Sequence, residues 1–343
     1  MSKIIINMLK AENIYIYGTG EAGKTLLNIL ENEGIKVEGF FDSDVKKDGQ
    51  LIKGKLVKSP QNFENITSVT IIIASWYWRD ITSYLKSNFR TCSLLYYFHF
   101  ITDVNHFFPS DQEVKALKRL TYHLEDKISI TTVNKLLEYR LTLNANCLTE
   151  IRQCNQYFCT LPKQIDYSSF FDIGGFDGDT IESLIKHDVK YNDIVTFEPD
   201  PDNFHKLQKR IENYKNIRAE NTAVGKERGL IRFQSSPLGY NSKSSTAGNC
   251  NVSVIKIDDY VENTGIIPSC IKVDVEGMDL DVLKGATETI KRNKPALLVS
   301  CYHSPLHLHQ IPLWIKENFP EYKLYLRHHS PSNLETICYA LPG

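Results

Sequence analysis

The chain of 343 residues has little that would assign its class at a glance. Its eight cysteines (Cys92, Cys147, Cys154, Cys159, Cys250, Cys270, Cys301 and Cys338) contain no CxxC pair and no dense framework. A disulfide scaffold and a zinc ribbon are therefore not expected, and the thiols read as buried or free in a reducing compartment. Cys154 and Cys159 alone do not make a metal site. No charge sign dominates: 40 Lys and Arg stand against 41 Asp and Glu, a net charge of −1, with no long basic run. That leaves no electrostatic footprint for nucleic acid. No apolar run approaches the roughly 20 residues that span a bilayer; the longest, from Cys92 to Ile101, is broken by Ser and His. The opening MSKIIINMLK carries no cleavage-site pattern and runs into Glu12, so a cytoplasmic protein without a membrane span is expected. Repeats and low-complexity segments are missing too. What remains, 42% apolar and 24% charged residues, is ordinary for globular domains, and the length suits two of them.

Residues 170–180, FFDIGGFDGDT, are the most informative segment. An apolar run ends in Asp172; Gly174, Gly175 and Gly178 follow, then Thr180 and a helical pattern. This predicts a strand, a tight turn and a helix N-terminus, with glycine letting a ligand approach the backbone. A second strand, DIVTFEPD, ends in Glu198, placed to grip the hydroxyls of a ribose. A pyrophosphate on that helix N-terminus would meet Asp172, Asp177 and Asp179, which repel it. The same carboxylates suit the sulfonium and ammonium of S-adenosylmethionine, which is favoured over NAD.

Further blocks follow: NTAVG from Asn221 through Ala223 to Gly225, VIKIDDY from Val254, and IKVDVEGMDLDVLKGA from Ile271 to Ala286. Then come VSCYH, ending at His303, YLRHHS from Tyr325, and ETICYA, ending at Ala340. Together they resemble the FkbM family of S-adenosylmethionine-dependent methyltransferases over about residues 165–343, the IKVDVEGMDLDVLKGA block being the most specific. The resemblance implies an α/β class I methyltransferase fold with a seven-stranded, mostly parallel sheet. It also implies cofactor contacts from Asp172, Gly174, Gly175, Gly178, Thr180, Glu198, Asn221, Ala223 and Asp274. Phe176 departs from the small residue or Asn usual at its position and is expected to reshape the pocket edge.

The N-terminal segment reads as a second Rossmann-like domain. Strand NIYIY leads into GTGEAGKT and a helical pattern, and a second strand ends in Asp42. Gly18, Gly20 and Gly23 with Asp42 make the dinucleotide pattern. Gly18, Gly23, Lys24 and Thr25 also match a phosphate-binding P-loop. That reading is set aside, because the strand TIIIAS ends in Ser75, Trp76 and Tyr77 and offers no carboxylate for magnesium. The stretch 12–100 resembles N-terminal domains of bacterial sugar acetyltransferases and other nucleotide-sugar enzymes, which implies a nucleotide-sugar ligand; a domain that only packs or dimerises is the alternative. Boundaries are expected at 1–105, 106–164 and 165–343. Residues 111–160 carry helical periodicity and read as a cover for one edge of the methyltransferase sheet, or as a surface for a homodimer.

Methyl transfer to a hydroxyl needs an acceptor held in line with the sulfonium and a group to take its proton. Asp274, Glu276 and His303 stand at strand ends facing one crevice, and His303 is the preferred base, its ordinary pKa lying near 6.5. Asp274, Glu276 and His303 could instead hold a divalent metal, with His307 and His309 near, although Pro305 breaks any helix aligning them; the metal is not favoured. The Asp/Asn-Pro-Pro-Tyr motif used for amino acceptors is absent, which favours oxygen. Residues 235–251, rich in Ser, Gly and Asn, are expected to form a loop over the acceptor. The expected function is O-methylation of a sugar, nucleotide-linked or part of a bacterial surface polysaccharide. A small non-sugar hydroxyl, or a non-catalytic sugar-nucleotide scaffold, is the alternative.

Overall fold

The computed structural model describes residues 13–62, 69–75, 77–88, 92–96, 109–142, 144, 146–234, 243–244 and 250–343. It contains two compact units, Met1–Asp111 with Leu137–Thr149, and Gln112–Leu136 with Glu150–Gly343. Among the described residues no helix is long and apolar enough to cross a membrane.

The first unit is built on six strands: β1 (Asn13–Tyr17), β2 (Val37–Phe41), β3 (Leu51–Ile52), β4 (Lys55–Lys58), β5 (Val69–Ile73) and β6 (Cys92–Tyr96). They lie in the order β3-β4-β2-β1-β5-β6. All pairings are parallel except the β3–β4 hairpin. β5, VTIII, is buried along its whole length, as a strand covered on both faces must be.

The second unit holds β7 (Ser169–Ile173), β8 (Asp193–Phe197), β9 (Ile217–Glu220), β10 (Ala223–Val224), β11 (Gly229–Gln234), β12 (Lys243–Ser244) and β13 (Cys250–Ile255). It continues with β14 (Cys270–Val273), β15 (Ala296–Ser300), β16 (Lys323–His328) and β17 (Thr336–Leu341). The main sheet runs β16-β17-β15-β14-β7-β8-β9, seven strands, parallel except for β17, which is antiparallel to both neighbours. This is the α/β sheet expected from the sequence. The four-stranded sheet β10-β13-β11-β12 was not foreseen; it is inserted between β9 and β14. A Cβ on Gly285 would lie 2.0 Å from the carbonyl oxygen of Gly225. The NTAVG and LKGA blocks therefore meet closely, which explains Gly285.

Successive strands run from β7 to β8 on one side, while β14 flanks β7 on the other. The order reverses at β7, and the loops after β7, β8 and β14 part to leave a crevice at the carboxyl ends. The far edge of the sheet, β16, is covered by residues before β7. Glu125 and Gln153 donate backbone hydrogen bonds to Leu324 and His328 at 3.1 and 2.8 Å. Asp126 bonds both terminal nitrogens of Arg327, a side chain 1% exposed, at 2.6 and 3.2 Å. Covering an edge in this way prevents it from pairing with another chain.

Candidate active site

A cavity of about 330 Å³ opens at that crevice, lined from the second unit alone. β7 delivers Gly174, Phe176, Asp179 and Thr180; β8 delivers Glu198 and Pro199; β14 delivers Asp274, Val275 and Glu276; Tyr302 follows β15. Gln156, Tyr157, Asn203, Lys272 and Glu335 complete the wall.

Glu198 anchors one end. The segment Glu198-Pro199-Asp200-Pro201 turns the chain from β8 into the helix Pro201–Ile211, whose first turn is capped by Asp200 and started by Pro201. Within this turn the amide of Asp200 donates to Glu198 Oε1 at 2.8 Å. The amide of Phe176 donates to Oε2, also at 2.8 Å. Phe176 can do so because its backbone is left-handed, with φ +48°. The departure noted in the sequence is thus a backbone device, held against about 1–2 kcal/mol of local strain. Asn221 does not line the cavity; its side-chain amide bonds the Glu198 carbonyl at 2.8 Å and fixes the turn from behind. Burial, chiefly, raises the Glu198 carboxyl from its ordinary 4.5 to about 7.

The glycines of the turn are explained first by packing. A Cβ on Gly174 would sit 1.9 Å from the Asp274 carbonyl oxygen, and one on Gly175 2.0 Å from Thr196 Oγ1. Gly174 also lines the cavity; Gly175, Gly178 and Ala223 do not.

Asp172 corrects an expectation. It is fully buried, does not reach the cavity, and pairs with Lys272 Nζ at 2.9 Å. Asp177 pairs with Arg210 at 2.8 Å. Of the three turn carboxylates only Asp179 lines the cavity, so the acidic wall is made by Asp179, Glu198, Asp274, Glu276 and Glu335 instead. Lys272 also donates to the Gly174 carbonyl at 2.6 Å. Burial works against its charge, but Asp172 and Asp274 outweigh that and raise its pKa.

The opposite end centres on Asp274. Its carboxylate accepts from Tyr157 Oη at 3.0 Å, Tyr302 Oη at 3.0 Å and His303 Nε2 at 3.2 Å. Burial opposes the charge, yet His303 above all, with Lys272 and Ser300, holds its pKa well below the usual carboxylate range. Tyr157 is presented by a loop whose backbone is held by Tyr339 Oη at 3.1 Å and by the hydroxyl of Tyr167.

His303 is the second correction. Its Nδ1 lies 2.9 Å from Asp279 Oδ2 while Nε2 faces Asp274. Burial alone would lower its pKa, but Asp279 and Asp274 raise it well above 6.5. With both ring nitrogens turned to carboxylates, His303 offers no open lone pair to an acceptor, which speaks against its expected role as base. Asp274, Asp279 and His303 bring ligand atoms within 4.8 Å of one another. Asp274 and Asp279, however, meet opposite nitrogens of one ring. A cation on Nε2 would take Asp274 and Glu276, whose Oε2 lies 4.0 Å away, and leave Asp279 outside its shell.

Tyr157, Lys272 and Asp279 were not singled out from the sequence. Lys272 was findable, as a cation inside the apolar strand Cys270–Val273. Tyr157 carried no local signal.

The first unit's candidate residues do not assemble a ribose site. Asp42 Oδ2 accepts the amide of Thr19 at 3.0 Å, its hydroxyl, and Lys47 Nζ at 3.0 Å; Oδ1 accepts the Asp44 amide at 3.0 Å. The carboxylate expected to hold a ligand is saturated by its own chain. A Cβ on Gly23 would fall 1.9 Å from the Gly18 carbonyl oxygen, whereas Gly20 has nothing within 4 Å. Lys24 pairs with Glu21 at 2.8 Å. The expected acceptor loop, 235–251, lies outside the described residues save for Lys243, Ser244, Cys250 and Asn251.

Comparison with known proteins agrees with the fold of the second unit. Residues 172–330 match the methyltransferase FkbM domain, and residues 10–88 match the C2185-like N-terminal domain. Hexuronic acid methyltransferase AglP of Haloferax volcanii is 36% identical over 107 residues, 29% of this chain and 43% of that protein. The match thus spans less than half the length of this curated relative. The crystal structure of Methyltransferase FkbM from Methylobacillus flagellatus KT shares the fold. Its TM-score is 0.73 at 22% identity, covering 99% of this chain and 94% of that one.

Proposed function

We propose that this chain, whose residues 172–330 form a methyltransferase FkbM domain, binds S-adenosylmethionine in the cavity and methylates a hydroxyl of a sugar. The observation that carries the reading is Glu198. It is a buried carboxylate at the end of the second strand, aimed by two backbone amides and open to a cavity, the arrangement that accepts both hydroxyls of a ribose. The acidic wall favours a cationic ligand over a pyrophosphate. A sugar acceptor is supported by the likeness to a hexuronic acid methyltransferase, and oxygen as the target by the missing amino-acceptor motif.

S-adenosylmethionine supplies an electrophilic methyl carbon and a thioether leaving group. When it is bound, transfer of that methyl to an acceptor hydroxyl would release the thioether and a proton, and residues of this chain must take the proton. Asp274 is saturated with donors. The phenols of Tyr157 and Tyr302 donate to it and are raised well above 10 by burial first. His303 turns both ring nitrogens to carboxylates, Asp274 and Asp279. We assign the step to Glu276, whose carboxylate lines the cavity and whose side chain is 45% exposed. It takes the proton, beside the His303 ring.

The test uses the full chain, methyl-labelled S-adenosylmethionine and a panel of free, nucleotide-linked and polymeric sugars. Glu276→Gln should lower kcat by about 10²–10⁴ while cofactor affinity stays within about twofold. Unchanged turnover removes Glu276 from this role. Activity lost on chelation and restored by magnesium would place a cation on Asp274, Glu276 and His303 instead.

A further inference from the structure

Asp279 opens the helix Asp279–Gly285 and is fully buried. Its Oδ1 accepts the amide of Val275 at 3.1 Å and its Oδ2 meets His303 Nδ1 at 2.9 Å. One carboxylate therefore ties two segments that are distant in sequence. The first is the turn after β14 that carries Asp274 and Glu276, and the second is the residue that carries the imidazole after β15. That turn is in a conformation it would not hold alone. Glu276 is left-handed at φ +51° and Gly277 stands at φ +106°. A non-glycine residue stays in such a region only when its surroundings over-determine it. With Nδ1 held from behind, the ring presents Nε2 to Asp274 at 3.2 Å and to Glu276 at 4.0 Å.

We propose that Asp279 is a positioning residue. Through His303 and the Val275 amide it holds the Asp274–Glu276 turn in the one conformation that faces Glu276 to the acceptor. The proposal rests on the reading of Glu276 as proton acceptor.

The experiment compares Asp279→Asn, His303→Gln and the double variant. Asparagine keeps size and hydrogen-bonding capacity but removes the charge that holds the ring. Each single variant should lose about 10- to 100-fold in kcat, the usual loss for an outer-shell partner, with KM for S-adenosylmethionine within about twofold. The double variant should be no slower than the worse single, because both act through one linkage. Multiplying losses, or unchanged kcat in either single variant, overturns the proposal. Hydrogen exchange at residues 274–278 supplies a readout without turnover. It should quicken in His303→Gln, where Asp279 is intact, as it does in Asp279→Asn. Unchanged protection in His303→Gln overturns the proposal even if every acceptor fails. A protected turn in a wild type that methylates nothing overturns the functional reading and leaves the positioning role standing. Should Asp279→Asn not fold, the kcat and exchange of His303→Gln decide alone.

Discussion

Replacing Glu198 by glutamine should weaken the cofactor site and remove a loss of stability that the wild type suffers as pH rises to neutrality. The carboxyl is 6% exposed, and burial lifts its pKa from 4.5 to about 7. Between those values the unfolded chain ionises at this position and the folded chain does not. The folded state then binds more protons, so stability falls as pH rises through the window. A gap of about 2.5 pH units, at about 1.4 kcal/mol each, amounts to about 3 kcal/mol. The glutamine side chain does not titrate and escapes that loss. Whatever the substitution itself costs in packing, the stability difference between variant and wild type should shift by about 3 kcal/mol in the variant's favour from pH 4.5 to pH 7.5, then level off. Urea unfolding is the assay. It is best followed by Trp314 emission in a Trp76→Phe/Trp78→Phe background, because Trp314 is then the one tryptophan left and lies in the second unit. Ribose hydroxyls donate to the ionised carboxylate, so S-adenosylhomocysteine binding should release protons near pH 6.5. Calorimetric heats should then vary with the buffer's ionisation enthalpy in wild type and not in the variant. Parallel stability curves, within about 0.5 kcal/mol across the window, would refute the account of Glu198 as a buried, strained acid; equal cofactor affinity in the two proteins would remove it from the ribose.

Lys272→Met should lower stability by about 3–5 kcal/mol in urea unfolding, because it leaves Asp172 buried without its counter-charge; adding Asp172→Asn should recover part of that loss. In the first unit, Gly23→Ala should cost about 1–3 kcal/mol or more through the clash with the Gly18 carbonyl. Gly20→Ala, with open space around it, should stay within about 1 kcal/mol, and thermal melts of the two variants separate packing from ligand contact as the reason for these glycines. Lys24→Ala should leave methyl transfer intact, and the wild type should show no magnesium-dependent ATPase; an ATPase lost in that variant would restore the P-loop reading.

The strand, turn and helix of 169–186 and the placement of Glu198 were legible because each depends on neighbours within a few residues. An apolar run, clustered glycines and two prolines specify the path locally, and the spacing of two strands puts their carboxyl ends side by side. The same local logic set the P-loop match aside, for want of a carboxylate after the expected strand that ends at Ser75. It misjudged Asp172 and Asp42, whose partners Lys272 and Thr19 lie 100 and 23 positions away. A carboxylate at a strand end reads the same whether it faces a ligand or a buried lysine.

The sequence by itself determined the α/β class, the crevice at the strand ends and the place of the Glu198 carboxylate beside it, because periodicity, glycine and proline act over short range. Only the tertiary structure decided which acids face the cavity, that His303 lies between two carboxylates and that Asp279 stands behind it. Protonation and hydrogen bonding follow distance and burial in space. Tyr157 reaches Asp274 across 117 residues of chain, and no pattern in the sequence encodes that approach.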